Sequence, residues 1–187
     1  MTKIIGLSGS LRKKSFNTAL LRAAAPFMPA DVQYDVRTIE GIPLYNEDVE
    51  DTSGVPAIVQ QLKDLIAGAD GLLLATPEYN NSIPGPFKNA IDWLSRPSDD
   101  IAKVFRNRAV AVMGASAGGF GTVLSQAAWW PVLRTLGTKP WWGDRLLVSK
   151  GDQVFGENGE ILDQGVRDHL KKFVVGFAEF ARHPESK

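Results

Sequence analysis

The sequence contains no cysteine and only two histidines among its 187 residues. The absence of cysteine excludes disulfide bonds, cysteine-ligated zinc or iron–sulfur clusters, and thiol catalysis. A histidine-based catalytic triad would have to use His169 or His183. We expect neither to be catalytic, because His169 lies among charged neighbours in a predicted helix and is expected to be solvated, while His183 lies close to the end of the sequence.

An excess of charge of either sign is also lacking, since 21 Lys and Arg residues balance 21 Asp and Glu residues. A net charge of zero argues against nucleic acid or an anionic membrane surface as a partner of the whole chain. No apolar run approaches the ~18 residues of a membrane-spanning helix, and the opening MTKIIGLS lacks the apolar core of a signal peptide. We therefore expect a soluble, cytoplasmic protein with no nucleic-acid or membrane partner.

Short apolar runs alternate with longer amphipathic runs along the whole chain. Strands are predicted at 3–8, 32–39, 71–76, 109–114 and 146–149, and helices at 16–25, 55–67, 86–94, 119–136 and 164–182. The first, third and fourth strands are apolar on both faces, which is typical of a parallel sheet covered by helices on each side. With right-handed crossovers, the pattern predicts a doubly wound α/β fold, and the length predicts one domain spanning 1–187.

Three details of this pattern are less regular. The segment 40–54 is rich in Gly, Pro, Asn and acids and is predicted to be a loop, with the acids of 47–51 solvated rather than bound to a metal. The helix at 55–67 is expected to bury Ile58, Val59, Leu62, Leu65 and Ile66. Pro131 is expected to kink or split the helix at 119–136.

In a doubly wound fold, ligands bind beyond the carboxyl ends of the strands. The loop 8–18 follows the first strand and combines hydroxyl side chains with Arg12, Lys13 and Lys14 just before a helix. Hydroxyls, unpaired N–H groups and the helix dipole favour an anion such as phosphate there, and Arg12 can add a charge-assisted contact. The alternative is a helix cap at Ser15 or Asn17 beside solvated cations.

The same loop excludes two common nucleotide motifs. It lacks the Gly-Lys-Ser/Thr ending of a P-loop, and Gly6-x-x-Gly9 does not match the Gly-x-Gly-x-x-Gly fingerprint of dinucleotide-binding folds. Glu40 stands where such folds keep a ribose-binding acid, but it means little without the glycines. A mononucleotide phosphate is therefore the favoured ligand.

The loops after the third and fourth strands are also unusual. Loop 76–86 holds three prolines, and its Tyr79 and Asn80 offer a stacking face and an amide edge to a planar heterocycle. The alternative is a rigid surface loop whose tyrosine covers the core. Loop 114–121 is built of small residues, which allow either close approach of a ligand to the backbone or tight packing of helix on strand.

These loops carry motifs that resemble those of a known family. The motifs are Gly9-Ser10-Leu11-Arg12 with Ser15-Phe16-Asn17, Pro77-Glu78-Tyr79-Asn80 with Ile83-Pro84-Gly85 and the run 88–93, and the glycine-rich run 114–121. Together they resemble the NADPH-dependent FMN reductase family, a flavodoxin-like group that includes bacterial quinone and chromate reductases. The resemblance implies a flavodoxin-like three-layer sandwich, with a five-stranded parallel sheet of order 2-1-3-4-5.

The resemblance also implies non-covalently bound FMN and names the residues around it. Those implied to surround the phosphate are Ser10, Arg12, Ser15, Phe16 and Asn17; those implied to line the ring are Pro77, Glu78, Tyr79 and Asn80; Ser116 and Gly118 are implied to approach from the other side. No catalytic side chain and no metal ligand is expected, because the cofactor carries the redox chemistry.

The implied activity is transfer of electrons from NADH or NADPH through FMN to quinones or other acceptors, including chromate and other metal oxyanions. The alternatives are a flavodoxin-type electron carrier and a partner-binding flavoprotein. The net charge of zero argues against the carrier, since flavodoxins are strongly acidic.

The resemblance further implies a homodimer or homotetramer, with one departure. Where the quinone-reductase branch commonly shows Tyr-His-Leu-Arg, used between subunits, this chain has Ala127-Ala128-Trp129-Trp130. A second pair, Trp141 and Trp142, follows. These tryptophans belong either to the core or to an exposed cluster that marks an interface or a substrate wall.

Overall fold

Six strands and eight α-helices alternate in the computed structural model, which describes residues 1–182. The strands are β1 (Thr2–Ser8), β2 (Val32–Thr38), β3 (Gly71–Ala75), β4 (Ala109–Ala115), β5 (Lys139–Pro140) and β6 (Leu147–Val148). The helices are α1 (Phe16–Ala24), α2 (Glu47–Ser53), α3 (Ala57–Ala67), α4 (Gly85–Leu94), α5 (Ile101–Val104), α6 (Val123–Thr135), α7 (Gly151–Val154) and α8 (Gln164–Arg182), with 3₁₀ turns at Ala25–Phe27 and Ser98–Asp100. His183 lies outside the described residues.

The strands form one parallel sheet of order β2-β1-β3-β4-β5, with β6 also paired to β4, which confirms the predicted order. In this register Ser8 lies beside Ala75, and Ala75 beside Met113. The three central strands therefore end at nearly the same level. The three loops singled out in the sequence begin side by side along one edge of the sheet.

Both faces of the sheet are covered by helices. Ile4 and Leu73 pack on one face with residues of α1 and α8, while the adjoining Ile5 and Leu72 pack on the other with residues of α3, α4 and α6. Successive side chains of a strand point to opposite faces, so a strand covered on both sides must be apolar throughout. This burial explains the unbroken apolar runs of β1, β3 and β4. No helix within residues 1–182 has the length and apolar character needed to cross a bilayer.

The segment 40–54 was wrongly predicted to be entirely loop, since it contains α2. The side chain of Asn46 caps the helix by accepting a hydrogen bond from Asp48 N. Its first turn contains Glu47, Asp48 and Glu50, whose negative charges interact favourably with the helix dipole. This helix buries no residue, so it leaves no hydrophobic period to detect. Glu50 is nevertheless anchored, because its carboxylate accepts from Arg96 Nε at 2.8 Å.

Other differences from the prediction lie at short or interrupted elements. The strand expected at 146–149 is β6, and the two-residue β5 that precedes it has no detectable period. Helix α6 begins at Val123 rather than 119, because Gly121 adopts a positive φ of 64°. Pro131 lies inside α6 without ending it.

The inner face of α3 also differs from expectation. Ile58 is 42% exposed, whereas Lys63 is only 1% exposed. The ammonium group of Lys63 donates to Asp100 Oδ2 at 2.5 Å and to the carbonyl of Arg96. A buried lysine is tolerated there because its charge and its donors are satisfied.

We expect Asp100→Asn to lower the free energy of unfolding at neutral pH by about 2 kcal/mol, because it leaves the Lys63 ammonium buried without its anion. The hydrogen bond from Lys63 lowers the pKa of Asp100 below its ordinary value. A lowered folded-state pKa contributes stability above the unfolded-state pKa, and this contribution is lost as pH falls through the folded-state pKa. The difference between wild type and variant in urea denaturation should therefore shrink in acid. Exposed Asp99→Asn is the control, and equal effects of the two would contradict the assignment.

Candidate functional site

The three loops meet around one small cavity at the carboxyl edge of the sheet. Its volume is about 110 Å³. Its lining residues are Ser10, Arg12, Ser15, Phe16, Asn17, Pro77, Glu78, Tyr79, Ala115, Ser116 and Ala117. The fold thus brings together every predicted site residue except Asn80 and Gly118, which directly follow lining residues in the chain. The shared ending level of β1, β3 and β4 is the cause.

The first loop is held by a series of its own hydroxyl groups. The Oγ atoms of Ser8 and Ser10 accept from the N–H groups of Ser10 and Arg12 at 3.4 and 3.3 Å. Ser15 is the N-cap of α1 and accepts from Thr18 N at 3.2 Å, and the hydroxyl of Thr18 bonds that of Ser8 at 2.7 Å. The cap predicted at Ser15 therefore exists. The first N–H groups of α1 have no partner within the helix, so they can still donate to an anion.

Arg12 stands at the mouth of this loop. Its guanidinium lies over the ring of Phe16, 5.9 Å from the centroid, and forms no ion pair within residues 1–182. Stacking on an aromatic ring leaves the N–H edges of a guanidinium free, which suits a phosphate. Gly9, three residues before Arg12, packs so closely that an added Cβ would lie 2.0 Å from the ring of Phe87.

Asn17 has a role that the sequence did not indicate. Its side chain is buried and makes two hydrogen bonds to the backbone of Ala115, each 2.9 Å long, one donated and one accepted. The side-chain amide therefore ties α1 to the end of β4. What Asn17 retains for a ligand is its backbone N–H in the first turn of the helix.

The second loop contains a tight turn. Tyr79 and Ser82 exchange two backbone hydrogen bonds of 3.2 and 3.1 Å around Asn80 and Asn81. These asparagines adopt φ values of 50° and 61°, in the left-handed region that Asn tolerates better than most residues. The ring of Tyr79 is 45% exposed, so it offers a free face beside the cavity instead of covering the core.

Glu78 connects the second loop to α6. Its Oε2 accepts from the backbone N–H groups of Leu124 and Ser125 at 2.8 and 2.9 Å. Thr122, the N-cap residue of α6, makes no capping bond with its own side chain. A carboxylate at a helix N-terminus is stabilised by both hydrogen bonds and the helix dipole. Glu78 thus positions the loop, and no local signal in the sequence could have located its partner, because Thr122 is itself a residue type that commonly caps helices.

In the third loop, one glycine is required for tight packing and two others leave the backbone open to a ligand. A Cβ on Gly114 would lie 2.2 Å from the hydroxyl of Thr122, so that position is set by tight packing. Around Gly118 a Cβ would meet only Ser116 Oγ at 3.8 Å, and at Gly119 nothing lies within 4 Å. The backbone of 118–119 is therefore open to a ligand.

The four tryptophans of the two pairs, Trp129–Trp130 and Trp141–Trp142, divide into core and surface. Trp129 is fully buried, donates to Thr76 Oγ1 at 3.0 Å and meets the ring of Phe87 edge-on at 4.9 Å. Trp141 packs against aromatic residues of α8. Trp130 and Trp142 contact each other at 4.2 Å, and Trp142 is 65% exposed. Trp130 and Trp142, with Leu124, line a second cavity of about 420 Å³.

His169 was expected to be solvated, but it is only partly exposed and bonds Asp144 Oδ1 at 3.1 Å. Burial favours a higher pKa for Asp144, yet the hydrogen bonds from His169 and from the backbone N–H of Arg145 outweigh it, and the pKa lies below the ordinary value. Within residues 1–182 there is no group of three or more His, Asp or Glu side chains suited to a metal ion.

We expect Asn17→Ala to lower the free energy of unfolding by about 3 kcal/mol, because it leaves the N–H and carbonyl of Ala115 buried without partners. Urea denaturation measures the change. Asn158→Ala, at an exposed asparagine that does not line the small cavity, is the control. A loss of stability at Asn17 no larger than that of the control would contradict the tie between α1 and β4.

Several known proteins are similar to this chain in sequence and in fold. The chain is 40% identical over 170 residues to an NAD(P)H-dependent FMN reductase of Pseudomonas aeruginosa, covering 91% of this chain and 90% of that protein. It is 37% identical over 183 residues to a quinone reductase of Escherichia coli K12, covering 95% and 94%. The structure of FerB, a flavoenzyme NAD(P)H:(acceptor) oxidoreductase from Paracoccus denitrificans, matches with a TM-score of 0.85 and 30% identity over 97% of this chain and 98% of that one.

A more distant structure supports the fold alone. A WrbA-like flavodoxin from Agrobacterium tumefaciens has a TM-score of 0.61 at 15% identity and covers 97% of both chains. The architecture is therefore flavodoxin-like. The pattern that defines the NADPH-dependent FMN reductase family matches residues 2–152, and with relatives this similar over nearly their full length, the chain belongs to that family.

Proposed function

We propose that this protein is an FMN-dependent NAD(P)H oxidoreductase that transfers electrons from NADH or NADPH to quinones and other small-molecule acceptors. The observation that carries the proposal is the convergence of three loop motifs on one cavity, in a chain of the FMN reductase family. Relatives named quinone reductase and 2-hydroxy-1,4-benzoquinone reductase, the latter from Burkholderia sp. and 36% identical over 180 residues, support a quinone as acceptor. Chromate and other metal oxyanions are proposed as further acceptors.

The residues around the cavity fit FMN. A phosphate suits the N-terminus of α1, where N–H groups, the hydroxyls of Ser10 and Ser15 and the guanidinium of Arg12 surround one point. An aromatic ring system suits the turn after β3, with the free face of Tyr79. The open backbone at 118–119 leaves room for the ring or the ribityl chain on the opposite side.

The roles proposed for individual residues follow their observed contacts. Ser10, Arg12 and Ser15 hold the phosphate with their side chains, the ring of Phe16 supports the guanidinium of Arg12, and Asn17 donates its backbone N–H. Around the ring, Pro77, Tyr79 and Asn80 form one wall and Ser116 and Gly118 the other, while Glu78 acts through its bonds to α6.

When bound, FMN supplies the redox chemistry, accepting a hydride from the nicotinamide and passing electrons to an acceptor. The chain contributes orientation. Asn17 and Glu78 hold the three loops in fixed relative positions, so the donors aimed at the cofactor need no reorganisation during reaction. Backbone N–H groups of 117–119 would stabilise negative charge on a bound ring, whereas that of Ser116 already donates to the carbonyl of Val148 at 3.0 Å. The exposed face near Tyr79 admits the nicotinamide and the acceptor in turn.

We also propose that residues 1–187 form one domain that acts in the cytoplasm as a homodimer or homotetramer, without nucleic-acid or membrane partners. The net charge of zero supports the last point. The pair formed by the partly buried Trp130 and the exposed Trp142 supports an interface on the α6 side of the molecule. Because Trp129 is core, only Trp130 of the run 127–130 can replace the subunit contacts of the quinone-reductase branch with an aromatic one.

Purified protein is expected to show the visible absorption of bound flavin and to oxidise NADH or NADPH saturably with 1,4-benzoquinone, giving parallel double-reciprocal plots because one open face serves both substrates. Steady-state kinetics with both nicotinamides measure this. Protein that is colourless and does not take up added FMN would contradict every flavin-based function. Bound flavin without saturable turnover would point instead to an electron carrier or a partner-binding flavoprotein.

Arg12→Ala is expected to weaken FMN binding about tenfold or more, because a charge-assisted contact to phosphate is lost. Little loss of fold stability is expected, since the Arg12 side chain is exposed. Fluorescence titration of the apoprotein with FMN measures the affinity, and urea denaturation checks the fold. Lys13→Ala, at a neighbouring exposed cation that does not line the small cavity, is the matched control. Unchanged affinity in Arg12→Ala would remove Arg12 from the phosphate site.

A further inference from the structure

A larger cavity adjoins the proposed flavin site. It is a groove of about 680 Å³ between α1 and the segment 152–161, within the size range of small-molecule sites. Arg12, Ser15 and Phe16 line both this groove and the smaller cavity, so the two spaces adjoin. We call it the basic groove, after the cations Arg12, Lys13, Lys14, Arg22 and Arg167 that line it.

The cations of the basic groove are not neutralised by the protein. None of the five forms an ion pair within the part of the chain that the structure describes. Three carboxylates, Asp152, Glu157 and Glu160, line the facing wall. Glu160 is engaged within its own turn, where it accepts from Asn158 N at 3.1 Å. Arg12 is assigned to the flavin phosphate, so the other four cations exceed the three carboxylates by one positive charge, which favours an anionic occupant.

The walls of the basic groove are aromatic as well as basic. Phe16 and Phe155 stack with centroids 5.4 Å apart and planes inclined by 15°. The guanidinium of Arg167 lies over Phe27 at 5.1 Å, which leaves its N–H edges free, as at Arg12. Apolar ring surface beside unpaired guanidinium groups is the chemistry that recognises a nucleoside carrying phosphate.

We propose that the basic groove holds the adenosine half of NADPH and that Arg22 and Arg167 recognise its 2′-phosphate. This rests on the proposed function, since a dinucleotide whose nicotinamide reaches the flavin must place its adenosine half outside the flavin cavity. The groove adjoins that cavity, because Arg12, Ser15 and Phe16 line both. A phosphomonoester carries about two negative charges at neutral pH, so it can pair with the two guanidinium groups of Arg22 and Arg167. NADH lacks this group, so the chain should prefer NADPH.

The double variant Arg22→Ala/Arg167→Ala tests the proposal, because both residues line the basic groove and neither lines the flavin cavity. In the FMN-loaded protein we expect KM for NADPH to rise about tenfold, since charge-assisted contacts to phosphate are removed. KM for NADH, kcat and FMN content should stay unchanged. Lys171→Ala is the matched control, because Lys171 is an exposed cation one turn beyond Arg167 on α8 and does not line the groove.

Calorimetric titration with 2′,5′-ADP gives a readout that does not depend on turnover. Wild type and Lys171→Ala should bind it, and the double variant should bind it at least about tenfold more weakly. Equal binding by the double variant, equal rises of KM for NADH and NADPH, or displacement of 2′,5′-ADP by equimolar inorganic phosphate would overturn the proposal and leave the proposed function intact. Loss of the proposed function would show instead as absent turnover of wild type with either nicotinamide.

Discussion

The register of the three central strands is the constraint on which the rest of the molecule depends. Ser8, Ala75 and Met113 lie side by side, so the chain leaves β1, β3 and β4 at one level. Because neighbouring strands are parallel, all the loops that leave them lie at the same end of the sheet, which is where ligands of such folds bind. The convergence of distant motifs on one cavity follows from hydrogen-bond pairing within the sheet, before any side chain of the loops is considered.

Buried polar contacts then hold the loops in place. Asn17 joins α1 to Ala115, and Glu78 joins the second loop to the N-terminus of α6. Thr76 adds a third connection, since its hydroxyl lies 2.8 Å from that of Ser125 and accepts from Trp129. Such contacts cost conformational entropy during folding, but they leave the donors around a ligand already oriented. Fixed loop positions of this kind suit a protein whose chemistry is carried by a cofactor.

How far the fold could be predicted depended on how much apolar surface each element buries. Helix α8 was predicted with its observed bounds because its buried face, from Leu170 to Ala181, repeats with the helical period. Helix α2 buries no residue, and β5 is two residues long, so neither leaves a period in the sequence. Lys63 was hidden for the opposite reason, since its charge suggested solvent while its partner Asp100 is supplied by a turn 37 residues away.

The parallel sheet, the order of the loops and the residue types around the site could be predicted without a structure, because burial on both faces and motif spacing are recorded locally along the chain. Tertiary structure alone decided what several of those residues do. Asn17 and Glu78 carry motif positions, but their hydrogen-bond partners lie 98 and 46 or more residues away, at distances set by the crossovers. Likewise, Arg22 and Arg167 are unremarkable in sequence and become neighbours of one groove only because α1 and α8 cover the same face of the sheet. Local patterns report whether a side chain is buried, whereas its partners depend on how the whole chain packs.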